Sequence, residues 1–168
     1  HLVRAGCEVT FLVKEKSRAA TEAGLTIYDL NASRRPVALP LGEVEVATGP
    51  DEIAAQDFDQ VWITVSSPAL RAPWLGPTLE AAKDAAIVSF SPGADDRDLL
   101  LEHVPEDRLA LGMIPFIAYQ APLPGEDRIG APGIAIWHPP GSKTPFTGPA
   151  APVEAAVSAL RKGGAGAT

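Results

Sequence analysis

The sequence predicts an α/β domain with a doubly wound, mostly parallel sheet. Three features lead there. Apolar runs of strand length, rich in Val and Ile, recur along the chain, and stretches of helix-forming composition stand between them. Each strand-helix unit takes about thirty residues, the length of a right-handed β-α-β crossover. Several runs are unbroken, as strands covered on both faces require.

The opening stretch, "HLVRAGCEVTFLVKEKSR", reads as a helix end, a turn and a buried strand. Gly6 suits the left-handed cap that closes a helix, because it has no Cβ to clash. Residues 9–13 form the apolar run. Cys7 beside it, with no adjacent general base, is expected as a small core residue. "SRAATEAG" is helix-forming up to Gly24, and "LTIYDLN" then alternates apolar and polar side chains as a half-exposed strand does. "RRPVALP" and "VEVAT", separated by Pro40 and Gly42, are expected as a hairpin or meander extending one sheet edge. "GPDEIAAQD" is a short helix with Pro50 in its first turn and acidic residues at the positive end of its dipole.

"QVWITVSS" is the next buried parallel strand, ending at Ser66, Ser67 and Pro68. "ALRAPWLGPTLEAAKDA" is helical but broken in two by Pro73, Gly76 and Pro77. "AIVSFS" repeats the strand pattern, and "PGADDRDLLLEHVPEDR" supplies a turn, an acidic helix start and a stop before Pro105. "LALGMIPF" closes another such unit. Beyond Phe116 the chain is dense in Pro and Gly around one strand, "GIAIWH", expected to extend the sheet in antiparallel fashion, and "VEAAVSALRKGG" is a last amphipathic helix.

Composition limits the function classes. With 168 residues, 46% apolar and 21% charged, the chain suits one domain with a sizeable core. A net charge of −7 opposes a surface built for nucleic acid or anionic lipid, so neither is an expected partner. The longest apolar runs fall short of the roughly 20 residues that cross a bilayer. One cysteine forms no internal disulfide, and a cytoplasmic location is the expectation. With no initiator Met and no signal-peptide pattern, the chain is read as truncated. His1, His103 and His138 show no metal-ligand spacing, and His103 is expected at the surface. Trp62, Trp74 and Trp137 suit core or interface positions. Neither a Walker phosphate loop nor a G-x-S-x-G elbow is present.

In doubly wound sheets ligands lie beyond the carboxyl ends of the strands. Three strand ends are therefore candidates. The basic cluster Lys14, Lys16 and Arg18 falls where the second strand of a dinucleotide-binding fold meets the adenosine ribose. Cations there favour the 2′-phosphate of NADP, whereas a carboxylate favours NAD. Lys14 comes first, which favours NADP; Glu15 leaves NAD as the less favoured alternative. A solvated helix start with mixed charges is the plainer reading. Ser66, Ser67 and Pro68 offer hydroxyls and backbone N–H groups to a ligand, and are also ordinary turn formers. Pro92 and Gly93, in "SPGADD", form a neighbouring wall or simply a turn and helix cap, with Asp95 and Asp96 favouring the helix start.

Taken in order, "AGCEVTFLVKEKSRAATEAGLTIYDL", "DFDQVWITVSSPAL" and "AIVSFSPGADDRDLLLEHVPEDRLALGMIPFIAYQAPLPGE" resemble the N-terminal domain of the ketopantoate reductase (2-dehydropantoate 2-reductase) family, over nearly the whole chain. The resemblance implies a Rossmann-like domain, residues 1–168, that binds NADPH. It also implies a C-terminal helical substrate domain outside this chain, hydride transfer to the ketone of a small 2-keto acid or related carbonyl compound, and a role in pantothenate biosynthesis. The family's first strand and its G-x-G-x-x-G turn, which holds the pyrophosphate, would stand before His1. Lys14 matches the basic position ending the family's second strand. A homodimer of the full-length form is among the expectations.

Two departures bear on chemistry. Ser66 stands where the family carries a lysine, and Pro92 where it carries an asparagine. A hydroxyl is no counter-charge for a carboxylate, and proline has neither a side-chain amide nor an N–H. No catalytic residue is assigned within the chain. A non-catalytic sensor or scaffold, or an inactive fragment, stands as the alternative. In the 3-2-1-4-5-6 strand order the first strand is central, so its absence would leave the strands at residues 9–13 and 61–65 each short of a neighbour. Buried unpaired backbone groups cost on the order of 1–3 kcal/mol each, so poor stability of the isolated chain is expected.

Overall fold

A computed structural model describes residues 1–31, 36–39, 44–127 and 129–168, with 36–39 given as backbone path only. From the N-terminus the elements are β1 (Val9–Leu12), α1 (Arg18–Glu22), β2 (Leu25–Asp29), β3 (Pro36–Leu39), β4 (Val44–Ala47) and α2 (Pro50–Ala54). Then come β5 (Gln60–Ile63), α3 (Ser67–Leu70), α4 (Leu75–Ala81), β6 (Ala86–Ser89), α5 (Ala94–Leu101) and β7 (Leu109–Gly112). The chain continues through β8 (Ile117–Ala121), β9 (Gly133–Trp137), β10 (Phe146–Thr147) and α6 (Ala150–Lys162). This is an α/β, Rossmann-like arrangement of mostly parallel strands and crossover helices. Among the described residues, no helix is long and apolar enough to cross a membrane.

The best-buried sheet has the order β10-β7-β6-β5, with β5, β6 and β7 parallel and β10 antiparallel at one edge. Its strands alternate between two apolar layers, as the period-2 geometry of a strand dictates. Ile63, Ile87, Leu109 and Leu111 pack with Leu70, Leu75, Leu79 and Leu100 from α3, α4 and α5. Trp62, Val88 and Ala110 face the other way, toward Val153 and Ala156 of α6. Helices on both faces explain why these runs carry no polar alternation. The break between α3 and α4 falls around Pro73, as the sequence predicts, whereas Gly76 and Pro77 lie within the first turn of α4, where proline is tolerated; α2 and α5 begin at Pro50 and Ala94.

β1 is short of one neighbour, as expected, but less buried than its apolar run suggests. Among the described residues it pairs only with β4, in parallel, as a separate two-stranded sheet, and every residue in it is half-buried. β1 and β5 do not pair with each other among the described residues; their nearest link is an apolar cluster in which Leu12 and Val61 flank Ala47, Ile53, Ala82 and Ala85. Gly6, at φ 81°, caps the short helical turn before β1 as anticipated. Cys7 is exposed, not part of the core: it lies in the turn ahead of β1, outside the apolar run.

Two further expectations are corrected by the third sheet, of order β3-β2-β9-β8. The expected hairpin of β3 with β4 does not form: β3 pairs antiparallel with β2, and β4 pairs in parallel with β1. Pro40 and Gly42, the anticipated separators, lie outside the described residues, as do Arg34 and Arg35. β9, the "GIAIWH" strand, runs parallel to β2 and antiparallel to β8, and so belongs to this sheet instead of extending the main one. Gly133 permits the approach. A Cβ there would lie 2.6 Å from the Thr26 carbonyl oxygen and 2.7 Å from the Tyr28 ring, whose hydroxyl donates to the Ala131 carbonyl at 2.8 Å.

Candidate functional site

Because β5 and β6 are parallel neighbours, the loops that follow them leave the sheet at the same edge. Short bonds tie these loops together. The Phe90 N–H donates to the Ile63 carbonyl at 3.0 Å. The buried Ser91 hydroxyl donates to the Val65 carbonyl at 3.3 Å, and its N–H donates to Ser89 Oγ at 3.2 Å. Ser66 is extended at the N-cap of α3, Pro68 sits in that helix's first turn, and Gly93 is extended at the N-cap of α5. Chain trajectory therefore brings Ser66, Ser67, Pro68, Pro92 and Gly93 to one side of the molecule.

Side chains then lock α3 to α5. The Ser67 hydroxyl donates to Asp96 Oδ2, while Arg71 Nη1 donates both to Asp96 Oδ1 at 2.8 Å and to the Ser67 carbonyl at 2.9 Å. The Asp96 side chain is 5% exposed, against 48% for Arg71. A buried carboxylate persists when its lone pairs are satisfied by donors and a counter-charge, and both are supplied here. The Ser67 hydrogen bond first, and the Arg71 pairing second, hold the Asp96 carboxyl below its ordinary value. Above this network lies an open depression of about 510 Å³, lined by Ser67, Pro68, Arg71, Gly93, Ala94, Asp95 and Asp96.

The basic candidates lie at the end of β1, outside the lining of this depression. Lys14 and Lys16 are exposed on the short helical turn there. Arg18 is engaged elsewhere: Nη2 meets both Glu52 carboxylate oxygens at 2.7 and 2.8 Å and Thr48 Oγ1 at 2.9 Å, and Nη1 reaches the Val46 carbonyl at 3.3 Å. It thereby ties α1 to β4 and α2. The same bond lowers the Glu52 carboxyl from its usual range and raises the Arg18 guanidinium.

Sequence reasoning overlooked Arg71 and saw Asp96 only as a favourable charge at a helix start. Their contact spans 25 residues and depends on two crossovers docking side by side, so no local pattern announces it. The one sequence cue is the spacing of Ser67 and Arg71, which places a cation one turn after the loop serine. His103 is exposed, as expected, and no group of three or more metal-ligating side chains gathers among the described residues.

No family model matches the sequence, and no curated protein does. Among solved structures, the chain is similar to 2-dehydropantoate 2-reductase from Geobacter metallireducens, at 19% identity and a TM-score of 0.67, covering 99% of this chain and 51% of that one. A ketopantoate reductase from Ralstonia eutropha matches at 20% identity and a TM-score of 0.64, covering 99% and 49%. A ternary structure of D-mandelate dehydrogenase with NADH and anilino(oxo)acetate matches at 15% identity and a TM-score of 0.68, covering 99% and 50%. The chain thus spans about half the length of these structures and has the fold of that half.

Proposed function

We propose that the chain is the dinucleotide-binding half of an NADP-dependent oxidoreductase that reduces a small 2-keto acid or related carbonyl compound, with a further domain completing the substrate cleft. The observation that carries this reading is the coincidence of fold and site. The chain is similar over 99% of its length to an NADH-bound dehydrogenase structure and to 2-dehydropantoate 2-reductases. Independently, the loops after β5 and β6 lie side by side at the strand ends where such a fold holds its ligand.

The dinucleotide supplies hydride when bound; the residues of this chain position it. Lys14 and Lys16 hold the 2′-phosphate. Arg18, already chelated by Glu52, supports the turn that carries them and meets the phosphate only by sharing its guanidinium. Ser66, Ser67 and Pro68 line the nicotinamide side, and Pro92 and Gly93 form the facing wall. The Ser67–Asp96–Arg71 network keeps the two loops at fixed separation. Fluorescence titration of the full-length protein with NADPH and NADH tests the reading. NADPH should bind more tightly, and Lys14→Glu should remove most of that preference, by about tenfold or more for a lost charge-assisted phosphate contact. Equal affinities, or no binding of either, would refute it.

A further inference from the structure

We infer that Arg71 is the carboxylate receptor of the substrate, an inference that rests on the oxidoreductase reading above. The guanidinium is anchored through one nitrogen only. Nη1 takes the Asp96 carboxylate and the Ser67 carbonyl, and among the described residues Nε and Nη2 have no hydrogen-bond partner. Nε–H and Nη2–H lie on the same edge of the planar group and present two parallel donors, the fork that matches a carboxylate. Among the described residues Arg71 is the sole cation lining the depression, and its side chain is half-exposed. Asp96 is buried behind it, so the guanidinium is held in place before any ligand arrives, and less ordering entropy is lost on binding.

Charge also selects the kind of anion. Asp96 compensates Arg71, and the remaining charge in the lining is Asp95, which is exposed. A nearby carboxylate repels a dianion about twice as strongly as a monoanion. The depression therefore suits a single planar carboxylate better than a phosphate. A 2-keto acid held by its carboxylate on Arg71 would present its ketone beside the loops at residues 66–68 and 92–93.

The test uses the full-length protein, with and without NADPH, and oxamate as probe, with neutral oxamide as its uncharged counterpart, followed by isothermal titration. Oxamate should bind the wild type more tightly than oxamide. Arg71→Met should weaken oxamate by about tenfold or more, Arg71→Lys should weaken it less, and Asp95→Asn should tighten it by a few-fold. In the Arg71 variants NADPH affinity should fall by less than oxamate affinity does, separating this role from dinucleotide binding. If Arg71→Met fails to fold, Arg71→Lys decides: a folded Lys variant with undiminished oxamate affinity would overturn the inference. So would a wild type that binds oxamate no better than oxamide. Loss of NADPH binding by the wild type would instead defeat the underlying reading, because the oxamate and oxamide comparison is also made without dinucleotide.

Discussion

β6 and β1 are both parallel four-residue strands of largely apolar sequence, yet they occupy opposite extremes of the molecule. Ile87 and Val88 of β6 are 0% exposed, with ladder partners on both sides and helices on both faces. β1 has a partner on one side only, and all of its residues are half-buried. An apolar run thus states what a strand could bury; its neighbours decide what it does bury. The same division separates two kinds of site. At the well-packed sheet, loop positions are fixed by buried hydrogen bonds such as Ser91 to Val65 and by the Asp96 network. At the end of β1, Lys14 and Lys16 are exposed, whereas Arg18 is anchored on Glu52.

The largest effect should come from emptying the deep core. Leu100→Ala should cost about 2–5 kcal/mol and Val9→Ala about 1 kcal/mol or less, by chemical denaturation of the full-length protein. Similar losses would erase the distinction between the sheets. Overfilling sharpens it. A Cβ on Gly112 would lie 2.5 Å from the Phe146 ring and 2.9 Å from Phe90, so Gly112→Ala should cost about 1–3 kcal/mol. Gly49, between β4 and α2, has nothing within 4 Å of the corresponding position, and Gly49→Ala should cost about 1 kcal/mol or less.

Acid titration comes next. The folded Asp96 carboxyl lies below the ordinary aspartate value of 3.8, so it contributes stability above that pH. The contribution is lost as pH falls through the lower folded value. Wild type should therefore exceed Asp96→Asn in stability at neutral pH, with the gap closing below about pH 4. A gap independent of pH would mean that the carboxylate charge is not what stabilises the network. The smallest effect should be that of Glu52→Gln, which loosens Arg18. The NADPH preference over NADH should rise by up to about fivefold, the scale of an exposed ion pair, and an unchanged preference would keep Arg18 structural.

Much of this was legible in the residues. Unbroken runs such as "AIVSF", punctuated by Gly and Pro, marked the parallel strands, and Pro73 marked the break between α3 and α4, because these signals act over a few positions. The gap between β1 and β5 was legible, but the third sheet and the partner of β4 were not. They depend on Gly133 admitting Tyr28 and on β4 choosing β1 over β3, contacts between segments far apart in sequence. Cys7 was misplaced for a related reason: nearness to an apolar run does not settle which way a turn residue faces. At the site, the loop residues were visible as strand ends, whereas Arg71 and Asp96 became a unit only when two helices docked.

Among the described residues the two regions touch through an apolar cluster but share no strand pairing, and a bound dinucleotide would have to span them. Amide hydrogen exchange of the full-length protein with and without NADPH tests that most directly. Exchange should slow together at residues 14–16, at 64–67 and at 93–95, while β6 and β7 stay protected in both states. Protection confined to one of the two regions, or none at all, would contradict it.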